Sequence, residues 1–426
     1  MNMWVNSFRL GMCLLLAFGP LSKGEAQLWK RLQDEAKNTA GDHVVNDVGN
    51  ATDKTIDKTE DAAGKKAKGK NGKSDDAPKG GDAGSSNKDA SGATAPAYTI
   101  KAYQNYDFVP GDTVLFFDDF ADDMAGEFPA HWTLTKGQAV VNPIAGRPAF
   151  CLTEGNYCHV LPRMKKEAYL TDPFTIEFDM YTDGQGYESP NLFLTYTDND
   201  GNPASGDIEF ERGSDNGGGE VSTSGFPGNT LSAELPEALK SDYANKWHHC
   251  AIIYKAGQLK CYVDQYRILV VPTLGCVPTG FGFEGIGDQE HPIVISNVRA
   301  AAGGSMNMVG KKFTEAKIVT HGINFDVDKA TIRPESMGTL NMIVKVLNDN
   351  PDLKFEIDGH TDNTGNTAHN LTLSQQRAAS VEAQLESMGI SASRLSTKGY
   401  GDTKPLGGND SPEGRANNRR VEFVRM

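Results

Sequence analysis

The sequence predicts a chain of several domains: a low-complexity N-terminal linker, an antiparallel all-β sandwich, and a small α/β sandwich of order βαβαββ. Three observations carry that expectation. Residues 62–97 are built mainly from Gly, Ala, Lys, Asp and Ser, with almost no large apolar side chains. Residues 98–302 carry strand-like apolar runs and alternations separated by recurring Gly and Pro turns. Residues 313–426 switch between strand-like alternation and helical stripes.

With 426 residues the chain has room for two or three domains. Its net charge of −14 argues against a nucleic-acid role, which needs a basic face to replace phosphate counterions. A mean hydropathy of −0.47 excludes a polytopic helical membrane protein. Residues 1–26 read as a secretory signal: Arg9 closes a short N-terminal stretch, Leu10 to Leu21 form an apolar run, and Gly24-Glu25-Ala26 suits cleavage before Gln27. Cys13 precedes Leu14-Leu15-Leu16, whereas lipid attachment requires a cysteine after the apolar run.

In residues 27–97, Leu28, Leu32 and Ala36 open a short amphipathic helix, and a flexible, disordered linker follows. About 70 residues of this composition reach roughly 45 Å.

Within residues 98–302, Phe174, Ile176, Phe178 and Met180 fall on one face of a strand. Trp247 to Tyr254, Lys255 to Gln258 and Leu259 to Asp264 form a β-hairpin with its turn. Continuous apolar runs such as Ile268 to Val271 fit a buried core better than the lipid-facing alternation of a membrane barrel. Export leaves five cysteines, Cys151, Cys158, Cys250, Cys261 and Cys276, an odd number. Cys151 with Cys158, or Cys250 with Cys261, are candidate pairs, and buried free thiols are the alternative. No cysteine or histidine spacing suggests a metal site, and no cofactor is expected.

The Trp247-His248-His249 strand, its Gly turn and Leu259-Lys260-Cys261-Tyr262-Val263-Asp264 resemble the hairpin of laminin-G and concanavalin-like jelly rolls. Phe117-Asp118-Asp119-Phe120 is similar to the first strand of that group. The resemblance implies a jelly-roll sandwich, with glycan or Ca²⁺ binding as one option and a contact with another envelope or outer-membrane protein as the default. Some jelly-roll glycosidases carry Glu-x-Asp-x-Glu along one strand. Glu177-Phe178-Asp179 begins that pattern but continues to Tyr181, and Asp207-Ile208-Glu209-Phe210-Glu211 places three carboxylates on one face.

Residues 303–312 read as a linker. After it come a strand at Ile318 to Phe325, a helix at Pro334 to Leu347 and a strand at Leu353 to Ile357. A helix at Ser374 to Met388 and strands at Leu395 to Gly399 and Arg420 to Val424 complete the region. The first helix carries Met337, Leu340, Val344 and Leu347 on one stripe; the second carries Ala378, Val381, Leu385 and Met388. Ser374 is a natural N-cap, which puts Arg377 in the first turn, against the helix dipole. That placement makes sense if an anion sits between the helix end and the guanidinium. Asp362, on a Gly-containing loop, can face the same pocket and hold an ammonium beside that anion.

The separated stretches Ile323-Asn324-Phe325-Asp326, Asp358 to Gly365, Asn370 to Ala378 and Gly414 to Glu422 resemble the OmpA-like peptidoglycan-binding family over about 110 residues. The resemblance implies a non-catalytic envelope protein, in the periplasm and bound to the cell wall at the outer membrane of a diderm bacterium. It also implies that Asp362 accepts the ammonium and Arg377 the carboxylate of diaminopimelate in the peptidoglycan stem peptide. Thr361, Asn370 and Asp326 would line or support the pocket, and Arg420 would order it.

Overall fold

The computed structural model describes residues 106–184, 190–211, 219–228, 230–241, 243–304 and 313–426. The expected signal, the low-complexity linker and most of the expected 303–312 linker lie outside them. No helix among the described residues is long and apolar enough to cross a membrane.

The all-β region runs, in chain order, β1 (Thr113–Asp118), β2 (Trp132–Ile144), β3 (Arg147–Pro162), β4 (Phe174–Thr182), β5 (Asn191–Thr197), β6 (Pro203–Phe210), β7 (Glu220–Ser224) and β8 (Ser232–Glu234). A single helical turn, α1 (Glu237–Lys240), leads to β9 (Lys246–Lys255), β10 (Gln258–Val263), β11 (Tyr266–Val271), β12 (Gly280–Gly287) and β13 (Ile293–Ala302). All 13 strands belong to one antiparallel sheet, of order β11-β10-β9-β4-β13-β3-β12-β5-β6-β7-β8, with β1 on β13 and β2 on β3. The hairpin expected from the sequence is β9–β10, turned by Ala256 and Gly257, both at positive φ.

Trp132, Phe150, Phe178, Phe281 and Phe283 are fully buried in the core of this region. Phe174, Ile176, Phe178 and Met180 of β4 join them, as their alternation requires. The other face of β4 departs from a half-exposed strand, because Thr175, Glu177 and Asp179 are buried as well. The five cysteines are free thiols, and four are buried. Burial pushes the Cys151 and Cys158 thiols up to about 11, so they remain protonated near neutrality.

The C-terminal α/β region runs β14 (Lys317–Thr320), α2 (Met337–Asp349), β15 (Phe355–His360), α3 (Thr367–Ser387), β16 (Leu395–Gly401), α4 (Pro412–Asn418) and β17 (Arg420–Arg425). Its sheet has the order β14-β17-β15-β16, with β15 and β16 parallel. Several elements differ from expectation. The first strand stops at Thr320, and a short helix, α4, separates β16 from β17, so the observed order is βαβαβαβ. Ser411 begins α4: its hydroxyl accepts from the Gly414 N–H, and Pro412 follows as the first helical residue. On α2 the buried stripe passes through Met337, Leu340, Ile343 and Leu347, and Val344 is only partly buried.

One apolar cluster joins the two regions. Tyr106, Phe108, Ile253 and Tyr262 pack with Met337, Leu340 and Ile343 of α2. The approach is close enough that a Cβ on Gly338 would stand 1.7 Å from the Phe108 carbonyl oxygen, so glycine is required there.

Candidate functional site

The loop after β15 and the helix α3 build the site. A Cβ on Gly359 would lie 2.3 Å from the Ser374 carbonyl oxygen, so glycine lets α3 settle directly on β15. The start of α3 corrects the sequence expectation. The helix begins at Thr367, seven residues before Ser374, and Asn366 is its N-cap, with Oδ1 accepting from Ala368 N at 2.8 Å and His369 N at 3.4 Å. Ser374 is instead a buried residue inside the helix; its hydroxyl donates to the Leu371 carbonyl and accepts from the Gly401 N–H. Arg377 therefore stands in the body of α3, away from the first turn, and does not oppose the dipole at the N-terminus.

Arg377 is half-buried. Its Nε donates to the Lys329 carbonyl at 2.9 Å, its Nη2 to the Asp326 carbonyl at 3.4 Å, and its guanidinium lies over Phe325, 4.9 Å from the ring centroid. Among the described residues no carboxylate stands at ion-pair distance from it. Burial and the neighbouring Arg419 both hold its pKa below the usual arginine value.

Asp362 is buried and meets Arg419, with Nη1 donating to Oδ2 at 2.7 Å. Its other oxygen accepts from the Thr364 N–H at 2.9 Å. Burial alone would raise its pKa, but the bonds from Arg419 and Thr364 outweigh that and lower it. Asp362 and Arg377 sense each other's charge across the site, but the salt bridge that forms is Asp362–Arg419.

The remaining candidates fall into supporting places. Asn370 donates to the carbonyls of Asp362 and Thr364 and to Asp402, which ties the loop to the helix. The Thr361 N–H donates to Gly401, and its buried hydroxyl has no partner among the described residues. Asp326 serves Arg377 through its backbone carbonyl, while its carboxylate lies 3.9 Å from Lys329. Arg420, opposite His360 in the β15–β17 ladder, is saturated by Glu422 and the carbonyls of Asn418 and Lys404.

Sequence reasoning missed Arg419, although it stands in the same closing stretch as Arg420. Consecutive residues at the start of a strand point to opposite faces, so only one of the two arginines can turn toward Asp362. It also missed the Asn366 cap, whose signal was an Asn just before a helix-forming run.

Arg377, Arg419 and Arg420 line a cavity of about 140 Å³, together with Phe117 and Arg299 of the all-β region. Behind that wall lies a buried ion network. Glu177 accepts from Arg299 at 2.5 Å. Asp179 accepts from Arg147 and Asn297, both at 2.7 Å, and is bonded to His249 at 2.9 Å. Arg333 of the C-terminal region stands 3.7 Å from Asp179. Glu177 and Asp179 are therefore each held by cationic partners in the interior of the all-β region. The second stretch differs. Asp207 and Glu209 are only partly buried, and Glu209 shares a cross-strand row with Asn191 and Glu284. Burial, with the charges of Glu284 and Glu209, raises Asp207 to about 7.

Residues 324–419 match the OmpA family model, so the chain carries an OmpA family domain at its C-terminus. The chain is 41% identical over 104 residues to the probable lipoprotein YiaD of Escherichia coli K12, covering 24% of this chain and 48% of that protein. It is 43% identical over 110 residues to outer membrane protein A of Bordetella avium, covering 25% and 56%. It is 42% identical over 107 residues to peptidoglycan-binding protein ArfA of Mycobacterium tuberculosis H37Rv, covering 25% and 33%. The matched part thus spans no more than 56% of the length of any of these three relatives. Among solved structures, the cell wall anchor of the T6SS from Pseudomonas aeruginosa is 31% identical, with a TM-score of 0.24, covering 26% of this chain and 80% of that one. The peptidoglycan-associated lipoprotein from Burkholderia pseudomallei is 25% identical, with a TM-score of 0.24, covering 26% and 91%.

Proposed function

We propose that this chain is a non-catalytic cell-envelope protein that binds peptidoglycan through the diaminopimelate of the stem peptide and so tethers its all-β region, read as a jelly-roll sandwich, to the wall. The observation that carries the reading is Arg377. Its half-buried guanidinium is bonded to carbonyls and lies over Phe325, has a second arginine beside it, and has no carboxylate at ion-pair distance among the described residues. A carboxylate entering there would relieve both arginines through charge-assisted, bidentate hydrogen bonds. Asp362 adds the complement, because a carboxylate oxygen has a second lone pair that can take a ligand ammonium beside Arg419. An ammonium next to a carboxylate is the head group of a free amino-acid centre, which diaminopimelate presents. The OmpA family domain and the peptidoglycan-binding relative support the same ligand.

Charge-assisted bonds contribute about 1.5–3 kcal/mol each. A few of them, set against the cost of association, give modest affinity for one stem peptide. The wall repeats the ligand, so rebinding retains the protein. The test is co-sedimentation of the mature protein with purified peptidoglycan. Asp362→Ala and Arg377→Ala should each leave the protein in the supernatant; if both sediment like the wild type, the site is misassigned.

A second reading, a carbohydrate-cleaving or carbohydrate-binding face on the all-β region, is favoured by one observation: the Asp207, Glu209 and Glu284 group, where one carboxyl holds its proton near neutrality. Turnover on a polysaccharide panel that disappears in Glu209→Gln would replace the non-catalytic reading.

A further inference from the structure

The all-β region reaches the edge of the proposed wall-ligand site through strand β1. Within the sheet β1 pairs with β13, and the side chain of Asn417, on α4, bonds to the backbone of Val114. Val114 N donates to Asn417 Oδ1 at 3.1 Å, and Asn417 Nδ2 donates to the Val114 carbonyl at 3.2 Å. One side-chain amide thus stands in for a strand partner. An ion pair between Arg415 and Asp122 fastens the same helix. Arg419 follows α4 directly, and its guanidinium lies over the ring of Phe117, 4.8 Å from the centroid. The same guanidinium is bonded to Asp362.

The position of Arg419 therefore has two determinants, one from each region. Its side chain is one-third exposed, so in water alone it would sample several rotamers. A cation over an aromatic face is held by the ring quadrupole. Phe117 is partly exposed and lines the same cavity as Arg377 and Arg419.

We infer that Phe117 is a positioning residue for the wall-ligand site: the all-β region, through Phe117 and the Asn417–Val114 clamp, holds Arg419 where it joins Arg377 in gripping the ligand carboxylate. This rests on the diaminopimelate reading above. It makes the tethered region part of the tether. A partner that moved β1 would loosen the grip on the wall, and by reciprocity the bound wall peptide would favour the docked arrangement.

The experiment is calorimetric titration of the full mature chain with the synthetic tripeptide L-Ala-γ-D-Glu-meso-diaminopimelate, and with the same peptide amidated at the diaminopimelate carboxylate that adjoins the free amine. Phe117→Ala and Phe117→Leu should each weaken binding of the free acid about three- to ten-fold, while Phe117→Tyr, which keeps the ring, stays within about two-fold of the wild type. With the amidated peptide the difference between wild type and Phe117→Ala should vanish, because the charge that Arg419 serves is gone. A merely structural role for Phe117 would weaken both peptides equally, and Leu would then substitute as well as Tyr; either outcome overturns the inference. It is also overturned if Phe117→Ala and Phe117→Leu bind like the wild type while Asp362→Ala and Arg377→Ala lose binding, a result that leaves the wall-ligand reading standing. If Asp362→Ala and Arg377→Ala bind normally, the wall-ligand reading falls and takes this inference with it.

Discussion

In the all-β region, Asp179 is bonded to Arg147, His249 and Asn297, and Arg299 stands on the neighbouring Glu177. In the C-terminal region, Asp362 has one arginine, Arg419, and the second arginine there, Arg377, meets two carbonyls and the Phe325 ring but no carboxylate at ion-pair distance among the described residues. Both places bury carboxylates beside guanidinium groups. In the first, the charges close on one another and the region gains a fixed internal structure. In the second, positive charge is left over, and a site with leftover charge can still take a ligand. Completeness of pairing separates the structural network from the candidate site more sharply than residue type does.

The largest expected effect tests the closed network. Asp179→Ala strands Arg147 and His249 in a buried setting and should cost about 3–5 kcal/mol in urea unfolding. A loss below about 1 kcal/mol would mean the network is not a structural unit. In the open site the effect should appear in binding instead. Asp362→Ala and Arg377→Ala should each weaken binding to purified peptidoglycan about ten-fold or more, the equivalent of about 1.4 kcal/mol, with little loss of stability. A variant that unfolds as readily as Asp179→Ala would erase the distinction between the two regions.

The pH dependence sharpens the contrast. Burial alone would lower the His249 pKa, but its bond to Asp179 and the Glu177 carboxylate 3.6 Å away raise it from 6.5 to about 10. Its contribution to stability is therefore complete below about 6.5 and fades as pH rises toward 10. Unfolding measured across that range should show the gap between wild type and His249→Gln shrinking as pH rises; a constant gap would mean that the imidazolium is not the relevant form. Asp179 is held well below the usual carboxylate range, because the bonds and charges of His249, Arg333 and Arg147 outweigh its burial. Its contribution is present above the ordinary value of 3.8 and is lost as pH falls below it. The smallest expected effect concerns the helix that carries Arg377. Asn366→Ala should cost about 1 kcal/mol in thermal or urea unfolding; no loss would mean that Asn366 does not cap the helix.

Some of this could be read from the residues alone. The β9–β10 hairpin follows from two β-rich runs around Ala256-Gly257, and the core face of β4 follows from its alternation. These are local properties, set by backbone propensity and a period of two. The start of α3 was misread because Ser374 has the chemistry of a cap, but the helical run extends back to Asn366, where another capping residue stands. The second face of β4 begins a catalytic carboxylate pattern in the sequence, and nothing local announces that Arg147, His249 and Arg299 of distant strands close on it. Asp362 and Arg377 read as two sides of one pocket, and nothing local shows that the neighbouring Arg419 takes the Asp362 carboxylate.

The sequence by itself determined the residue types of the site, the strand-rich middle and the α/β C-terminal region that carries the OmpA family domain. Those features depend on short-range patterns and on motifs that lie within a few residues of each other. Only the tertiary structure decided which arginine meets Asp362, which carboxylates are closed off by ion pairs, and that Phe117 reaches Arg419 from 302 residues away along the chain. Charge pairing and cation–π contact act over a few ångströms in space, and which groups come that close is settled by how the two regions pack.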